Sequence, residues 1–233
     1  MTGAGLEGRR AFVTGASRGV GAAVARRFAE EGARVALASR SGDGLGIGLG
    51  LKCDVSDAEQ VGAAVSAAVS ELGGLDVVVA NAGVGAYGGF LDLAPQHIEQ
   101  MIDVNLKGTL YTARAALPHL IEAGGGDFVS LASVAGLRAL PGETVYNASK
   151  FGQVGFTRSL DHEMREHGVR CTCVCPGGVA TDFALRTGRP REALAGMMSA
   201  EEAAEVVVFC VTRPRGVRML TVSYRPADEP SWG

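Results

Sequence analysis

The sequence predicts an α/β protein in which a doubly wound, parallel sheet of about seven strands carries helices on both faces. Short apolar runs alternate with helical patterns along the whole chain, which is the order of elements that builds such a sheet. The run at residues 75–80 is apolar apart from one Asp, as a parallel strand buried on both faces requires. Neither a domain-scale linker nor a long-period repeat divides the chain, so we expect a single domain over residues 1–233.

Composition narrows the classes of function. Of the 233 residues, 47% are hydrophobic and the formal net charge is −3 without a basic stripe, which argues against nucleic acid as a partner. No apolar run approaches the roughly 18 residues of a membrane span.

Five cysteines, an odd number, follow a start without an apolar leader, so we expect reduced thiols in a soluble cytoplasmic protein. We interpret the alternating Cys171, Cys173 and Cys175 as packing groups of a strand, and no metal site is predicted.

The first strand, loop and helix form a candidate phosphate site. An apolar run at residues 11–13 leads into the spacing Gly-x-x-x-Gly-x-Gly, and a helical pattern follows over residues 20–31. Backbone N–H groups and the positive end of the helix would face an anion there. The loop residues predicted to bind a dinucleotide are Gly15, Ser17, Arg18, Gly19, Val20 and Gly21.

The end of the second strand, residues 33–39, predicts which dinucleotide is bound. An acidic residue at this position would hold the ribose hydroxyls of NAD. This chain has Ser39, Arg40 and Ser41 instead, and an arginine beside hydroxyls attracts a 2′-phosphate. We therefore predict NADP(H) rather than NAD(H), with Arg18 as a second cation. The alternative is that both arginines are solvated surface groups.

Glycine occupies every even position from 42 to 50, so residues 41–50 are not expected to form a helix. The next strand is predicted at once, at residues 50–54. The helix that normally joins the second and third strands is therefore predicted to be shortened or missing. A helix with Ser56 as its N-cap and Glu59 in the capping-box position is expected to follow.

Candidate ligand-binding turns follow the later strands at their carboxyl ends, where ligands bind in such sheets. Asn81, Ala82 and Gly83 follow residues 75–80, and a helical pattern from Pro95 to about residue 123 carries Asn105. Three further strands are predicted at residues 127–132, 169–175 and 217–223. The groups after two of these strands are Ser133, Pro176, Gly177, Val179 and Thr181.

Tyr146 and Lys150 lie four residues apart in a helix predicted over residues 144–167, so they share one face. A neighbouring ammonium favours the phenolate, which equips the tyrosine to give and take a proton. The chain has only three lysines among its 22 basic residues, and Lys150 is one of them. The apolar stripe of this helix is predicted to contain Val145, Ala148, Gly152, Phe156, Leu160 and Met164.

Together these motifs resemble the short-chain dehydrogenase/reductase family over essentially the whole chain, in particular its NADP-dependent 3-oxoacyl-carrier-protein reductases and 3-hydroxy-acid dehydrogenases. The resemblance implies a Rossmann-type fold. It also implies that Tyr146 is the general acid and base, that Ser133 binds the substrate oxygen and that Lys150 acts on Tyr146 and the ribose. Asn105 would anchor a water that relays protons to Lys150. The further cofactor-binding positions that it implies are Asp54, Val55, Asn81, Ala82, Gly83, Tyr146, Lys150, Pro176, Gly177, Val179 and Thr181.

Three functions remain open from the sequence. The first is an NADP(H)-dependent enzyme that interconverts a ketone and a secondary alcohol. The second is a sensor or scaffold that binds the dinucleotide without turnover, and the third is an NAD-dependent alcohol dehydrogenase. We expect a homodimer or homotetramer, a small carbonyl or alcohol as the substrate, and a lid at residues 182–199. The roles of Arg138, of the lid residues Arg186, Arg189 and Arg191, and of Trp232 in the tail are left open.

Overall fold

The structure is a computed structural model that describes residues 5–187 and 191–229, without the side chain of Ala193. Arg189 and Trp232, on which the sequence left open questions, lie outside these ranges. None of the helices in the described ranges is both long and apolar enough to cross a membrane.

The strands are β1 (Arg10–Thr14), β2 (Arg34–Ser39), β3 (Leu49–Lys52), β4 (Val77–Ala80), β5 (Gly126–Leu131), β6 (Val169–Pro176) and β7 (Thr221–Tyr224). The α-helices are α1 (Gly19–Glu30), α2 (Ala58–Leu72), α3 (Pro95–Met101), α4 (Gly108–Glu122), α5 (Thr144–Met164), α6 (Asp182–Arg186) and α7 (Ala200–Val211).

All seven strands are parallel and lie in the order β3-β2-β1-β4-β5-β6-β7. Successive residues of β1 serve opposite faces of the sheet because side chains alternate along a strand. Ala11 and Val13 join the core that contains Phe28 of α1, whereas Phe12 joins the core that contains Leu120 of α4. The predicted doubly wound fold with helices on both faces is confirmed.

The crossover from β2 to β3 contains no helix, as the glycine pattern predicts. At some of its glycines the backbone is packed so tightly that a side chain would not fit. A Cβ at Gly48 would collide with the carbonyl oxygen of Val35, and one at Gly50 would collide with that of Gly42. Ile47 packs against the core on the α1 side. The crossover therefore replaces a helix by close backbone contact.

The prediction that Ser56 caps α2 is wrong. The N-cap is Asp57, whose Oδ1 accepts hydrogen bonds from the backbone N of Glu59 at 2.9 Å and of Gln60 at 3.1 Å. Ser56 Oγ instead donates to Asp54 Oδ1 at 2.7 Å. Asp and Ser both make good caps, so the sequence pattern could not decide between adjacent residues.

The stripe predicted for α5 is wrong in part, because the helix buries a polar face. Ala148 is exposed, while Val145 and Leu160 are buried as expected. Gly152 is half-buried, and a Cβ there would lie 3.0 Å from the methyl groups of Leu106. A search for apolar periodicity misses side chains that are buried through hydrogen bonds. The buried polar residues of α5 are Asn147, Ser149, Lys150, Gln153, Thr157 and Asp161.

An ionic cluster lies where β5 and β6 begin, at the opposite edge of the sheet from the strand ends described below. Asp127 of β5 is 3% exposed. It accepts from Arg170 Nε at 2.7 Å, from Arg9 Nη2 at 2.7 Å and from Arg215 Nη1 at 3.2 Å. The three cations around this carboxylate join the starts of β1, β5 and β6 to the segment that follows α7.

Candidate active site

The carboxyl ends of β1, β4, β5 and β6 meet at one edge of the sheet. The segments that follow these strands line a cavity of about 1280 Å3. Every residue that the sequence predicts for the cofactor or the reacting atoms lines this cavity, with the single exception of Asn105. The volume exceeds the roughly 300–1,000 Å3 of a pocket for one small ligand. The cavity therefore has room for a dinucleotide and a substrate side by side.

The glycine loop between β1 and α1 lies directly on the turn after β4. A Cβ at Gly15 would lie 2.8 Å from the Cα of Ala82, and one at Gly21 would collide with Nδ2 of Asn81. The N-cap of α1, Arg18, makes no side-chain capping bond, and the first turn contains no acidic residue. Uncapped N–H groups at the positive end of a helix suit a phosphate, so these residues fit a dinucleotide.

Asn81 supports the glycine loop as well as lining the cavity. Its Nδ2 donates to the carbonyl oxygens of Thr14 at 2.8 Å and Gly15 at 3.2 Å. In return, Thr14 Oγ1 accepts from the backbone N of Asn81 at 3.0 Å and of Ala82 at 3.2 Å. The turn after β4 and the glycine loop are thus held together as one unit.

The end of β2 presents two hydroxyl groups and one arginine to the cavity. Ser39 Oγ and Ser41 Oγ lie 3.0 Å apart, and Ser39 Oγ also accepts from the backbone N of Gly42 at 3.2 Å. Arg40 is exposed. Hydroxyls and a guanidinium are groups that bind a phosphate.

Tyr146 and Ser133 reach the cavity from α5 and from the segment after β5. Tyr146 is 5% exposed, and its ring centroid lies 5.5 Å from that of Tyr87 and 5.9 Å from that of Phe183. Ser133 Oγ accepts from the backbone N of Ala135 at 3.1 Å, which fixes the side chain at the start of a short 3₁₀ turn. Both hydroxyl groups can donate to an oxygen of a bound molecule.

Lys150 lies one helical turn beyond Tyr146 and is 3% exposed. Its Nζ is 5.6 Å from the centroid of the Tyr146 ring. Nζ donates to the carbonyl oxygen of Leu131 at 3.1 Å and to Oε1 of Gln153 at 2.7 Å. Burial lowers the pKa of Lys150 to about 8, against a smaller opposing effect of the two nearest thiols of β6. The ammonium is therefore expected to lose its proton about two pH units below an exposed lysine, near pH 8.

Asn105 lies in a π-helical segment, Ile102–Lys107, between α3 and α4. It is fully buried. Its Oδ1 accepts from the backbone N of Val84 at 2.8 Å, while Nδ2 donates to the Val84 carbonyl oxygen at 2.9 Å and to Ser149 Oγ at 3.0 Å. The Asn105 side chain therefore fixes the segment after β4 to α5. A water that Asn105 places for Lys150 stays a prediction.

Sequence reasoning missed residues of two kinds. Gln153, Thr109 and Ser130 are buried polar side chains linked to Lys150. Gln153 is three residues after Lys150, so the helical spacing could have indicated it, whereas Thr109 and Ser130 come from other elements and give no local signal. The second kind is apolar: Tyr87 and Phe183 lie beside the Tyr146 ring, and Leu140 and Met197 also line the cavity.

The predicted lid, residues 182–199, contains α6 and a 3₁₀ turn, Arg191–Leu194. The segment is tied to the strand end by a bridge between Val179 and Met198. Of the arginines, Arg186 and Arg191 do not line the cavity, and Arg189 belongs to residues 188–190, outside the described ranges. Arg138 does line it, with Nη2 3.5 Å from Glu229 Oε1.

Comparison with known proteins decides the family. Residues 9–192 match the family model of the short chain dehydrogenases. The chain belongs to the short-chain dehydrogenase family. An uncharacterized oxidoreductase of Staphylococcus aureus is 34% identical over 95% of this chain and 98% of its own length. A glycine betaine reductase of Emericella nidulans is 36% identical over 97% of this chain, which spans only 19% of that protein's length.

Solved structures agree with this assignment to the short-chain dehydrogenases. An alcohol dehydrogenase from the archaeon Thermococcus sibiricus, complexed with 5-hydroxy-NADP, has a TM-score of 0.86 and 31% identity over 96% of this chain and 99% of its own. A 3-ketoacyl-(acyl-carrier-protein) reductase from Brucella melitensis, complexed with NADH, has a TM-score of 0.86 and 27% identity over 94% of this chain and 97% of its own. This short-chain dehydrogenase is therefore an oxidoreductase, and its neighbours support a nicotinamide cofactor.

Proposed function

We propose that the protein interconverts a ketone and a secondary alcohol with NADP(H) as the cofactor. The observation that carries this proposal is that Tyr146, Lys150 and Ser133 line the same cavity as the uncapped start of α1. Groups that move a proton and groups that bind a phosphate therefore share one space.

The residues of the cavity suit a carbonyl reduction. A nicotinamide bound there supplies the hydride that goes to the carbonyl carbon. Tyr146 gives its phenolic proton to the carbonyl oxygen, and it takes that proton back in the oxidation. Ser133 donates a hydrogen bond to the same oxygen and so stabilises its developing negative charge. The Lys150 ammonium favours the phenolate that Tyr146 becomes after the transfer.

The preference for NADP(H) over NAD(H) is supported by the end of β2. Ser39, Arg40 and Ser41 line the cavity, and no carboxylate takes their place in that tripeptide. A 2′-phosphate would be attracted to Arg40 and bound by the hydroxyls. We assign Asp54 and Val55 to the adenosine half and Thr181 to the nicotinamide half of the cofactor.

The cavity suits a ketone with an apolar substituent, because Tyr87 and Phe183 lie beside Tyr146, and Leu140 and Met197 also line it. The names of similar proteins point to more than one carbonyl class: an alcohol dehydrogenase, a 3-ketoacyl-carrier-protein reductase and a glycine betaine reductase. We propose a 3-oxoacyl compound or a related ketone.

The test is a panel of ketones and 3-oxoacyl thioesters with NADPH, and of secondary alcohols with NADP. The absorbance of NADPH should fall in the reductions and rise in the oxidations. We expect Tyr146→Phe to lower kcat by at least about 100-fold, as loss of a general acid typically does, while NADPH still binds in calorimetry. Tyr111→Phe is the matched control, because Tyr111 lies on α4 outside the cavity lining. Full activity of Tyr146→Phe would refute the mechanism.

The same measurements decide between the proposal and a sensor that binds NADP(H) without turnover. The feature that favours a sensor is the absence of a helix between β2 and β3, where it would cover the proposed adenosine site. Groups that could bind the ribose and its phosphate nevertheless line the cavity: Ser39, Arg40 and Ser41. Tight NADPH binding together with no turnover on the whole panel would favour the sensor.

We further propose a single domain that assembles as a homodimer or homotetramer through α5. Phe151 of this helix is 46% exposed, and a Cβ at Gly155 would meet nothing within 4 Å. An apolar ring beside an open glycine position leaves room for a second helix. Light scattering of the wild type and of Gly155→Glu tests this, since a charged side chain there would separate the subunits.

A further inference from the structure

Three buried polar side chains lie beside Lys150 and do not line the cavity. Gln153 and Ser130 are fully buried, and Thr109 is 3% exposed. They come from α5, β5 and α4, so they join three elements around one lysine. A buried amide costs free energy unless its polar atoms are bonded, and an apolar residue would fill the same space without that cost.

The orientation of the Gln153 amide follows from its neighbours. Thr109 Oγ1 donates its only proton to the carbonyl oxygen of Asn105 at 2.8 Å. The Thr109 oxygen therefore accepts from Gln153, whose Nε2 lies 2.7 Å away and also 3.4 Å from Ser130 Oγ. With Nε2 on that side, Oε1 is the atom that faces Lys150 Nζ, at 2.7 Å.

We propose that Gln153 is a positioning residue that keeps Lys150 charged beside Tyr146, because its Oε1 is held towards Nζ by the chain from Thr109 to Asn105. The catalytic consequence rests on the proposed function. The contact with Lys150 does not, since it is made within the chain.

The surroundings of Lys150 explain why such an acceptor matters. The titratable groups that face it are Tyr146 on α5 and the thiols of Cys173 and Cys175 on β6. In the described ranges, the hydrogen-bond acceptors of Nζ are neutral: the Leu131 carbonyl oxygen and Gln153 Oε1. Burial lowers the pKa of Lys150, and an acceptor for the charged form opposes that effect. Loss of Oε1 would leave the ammonium with one bond fewer in a buried site.

Two substitutions at Gln153 separate the electrostatic role from a packing role. Gln153→Met has a similar shape and no strong acceptor, so we expect the pKa of Lys150 to fall by about one pH unit. Gln153→Glu places a carboxylate at the same distance, so we expect the pKa to rise. A packing role alone would move the melting temperature and not shift the pKa in opposite directions.

The titration can be read directly in the cofactor-free protein. The chain contains three lysines, Lys52, Lys107 and Lys150, so protein labelled with 13C at the lysine Cε gives three NMR signals. Lys52→Arg and Lys107→Arg assign the two exposed ones. Thr112→Val is the matched control, because Thr112 is fully buried on α4 and its hydroxyl donates to the Gly108 carbonyl oxygen at 2.7 Å.

We expect the Lys150 signal to titrate lowest in Gln153→Met, higher in the wild type and in Thr112→Val, and highest in Gln153→Glu. The alkaline limb of the kcat profile should shift in the same order. Equal Lys150 titrations in all four proteins would overturn the inference. If Gln153→Met does not fold, Gln153→Glu decides alone, and an unchanged titration overturns the inference. The expected shifts without turnover in any protein would support the contact and refute the proposed function instead.

Discussion

Lys150 Nζ lies 5.6 Å from the centroid of the Tyr146 ring, one turn away on the same helix. The lysine is almost fully buried and its ammonium donates to two neutral oxygens. Among the described residues no carboxylate is paired with this ammonium, and a buried cation of that kind lowers the stability of the fold. That loss of stability can be measured.

Lys150→Met should change how stability depends on pH. The pKa of Lys150 is about 8 in the folded chain and 10.5 ordinarily, so between these values the unfolded chain binds the proton that the folded chain has released. Stability contributed by this group therefore rises with pH across that window. Urea unfolding at pH 7.5 and 10 should show the wild type gaining a few kcal/mol relative to Lys150→Met. Parallel pH dependences would contradict the lowered pKa.

Arg40→Asp should reverse the cofactor preference. A carboxylate at the end of β2 repels a 2′-phosphate and can accept from ribose hydroxyls, so NADPH should bind at least ~10-fold more weakly and NADH more tightly. Calorimetry with both dinucleotides measures the change. Arg26→Asp is the control, because it makes the same charge change on an exposed part of α1 outside the cavity lining. An unchanged preference in Arg40→Asp would remove the role given to Arg40.

Gly21→Ala should weaken dinucleotide binding and destabilise the fold. The new methyl group would collide with Asn81 Nδ2 and with the Gly15 carbonyl oxygen, so the glycine loop and the turn after β4 would separate. We expect a loss of about 1–3 kcal/mol in unfolding free energy. Gly62→Ala in α2 is the matched control: a Cβ there meets nothing within 4 Å, so it should stabilise by about 0.5–1 kcal/mol. Thermal unfolding compares the two, and equal effects would contradict the packing argument.

Asp127→Ala should be strongly destabilising without changing KM. It leaves the buried guanidinium of Arg170 without its carboxylate, for which we expect a loss of about 3–5 kcal/mol in urea unfolding. Glu30→Ala removes an exposed partner of Arg27 at 3.7 Å and should cost less than about 1 kcal/mol. Because Asp127 lies at the edge of the sheet opposite the cavity, an altered KM in refolded Asp127→Ala would argue against the separation of the two edges.

The sequence predicted the fold because its signals are local, and the site residues that it proposed, apart from Asn105, form part of the cavity lining. Strand runs, glycine spacing and a tyrosine four residues before a lysine can be read from neighbouring positions. The partners of Lys150 and Gln153 on other elements could not be predicted in the same way. Leu131 approaches Lys150, and Thr109 approaches Gln153, only after the sheet has assembled. The burial of Gln153 was missed for a related reason: hydropathy assigns an amide to the surface, and only its hydrogen bonds make the interior acceptable.

The glycine crossover also bears on how the molecule avoids unwanted association. It leads into β3, an outer strand of the sheet that is only four residues long. Outer strands carry unpaired backbone groups that a strand of another molecule can join. Here the template is short and it ends on the exposed Lys52, whose charge would have to be desolvated by an incoming chain. The short outer strand and its terminal charge therefore protect this side of the sheet from association, although no helix covers it.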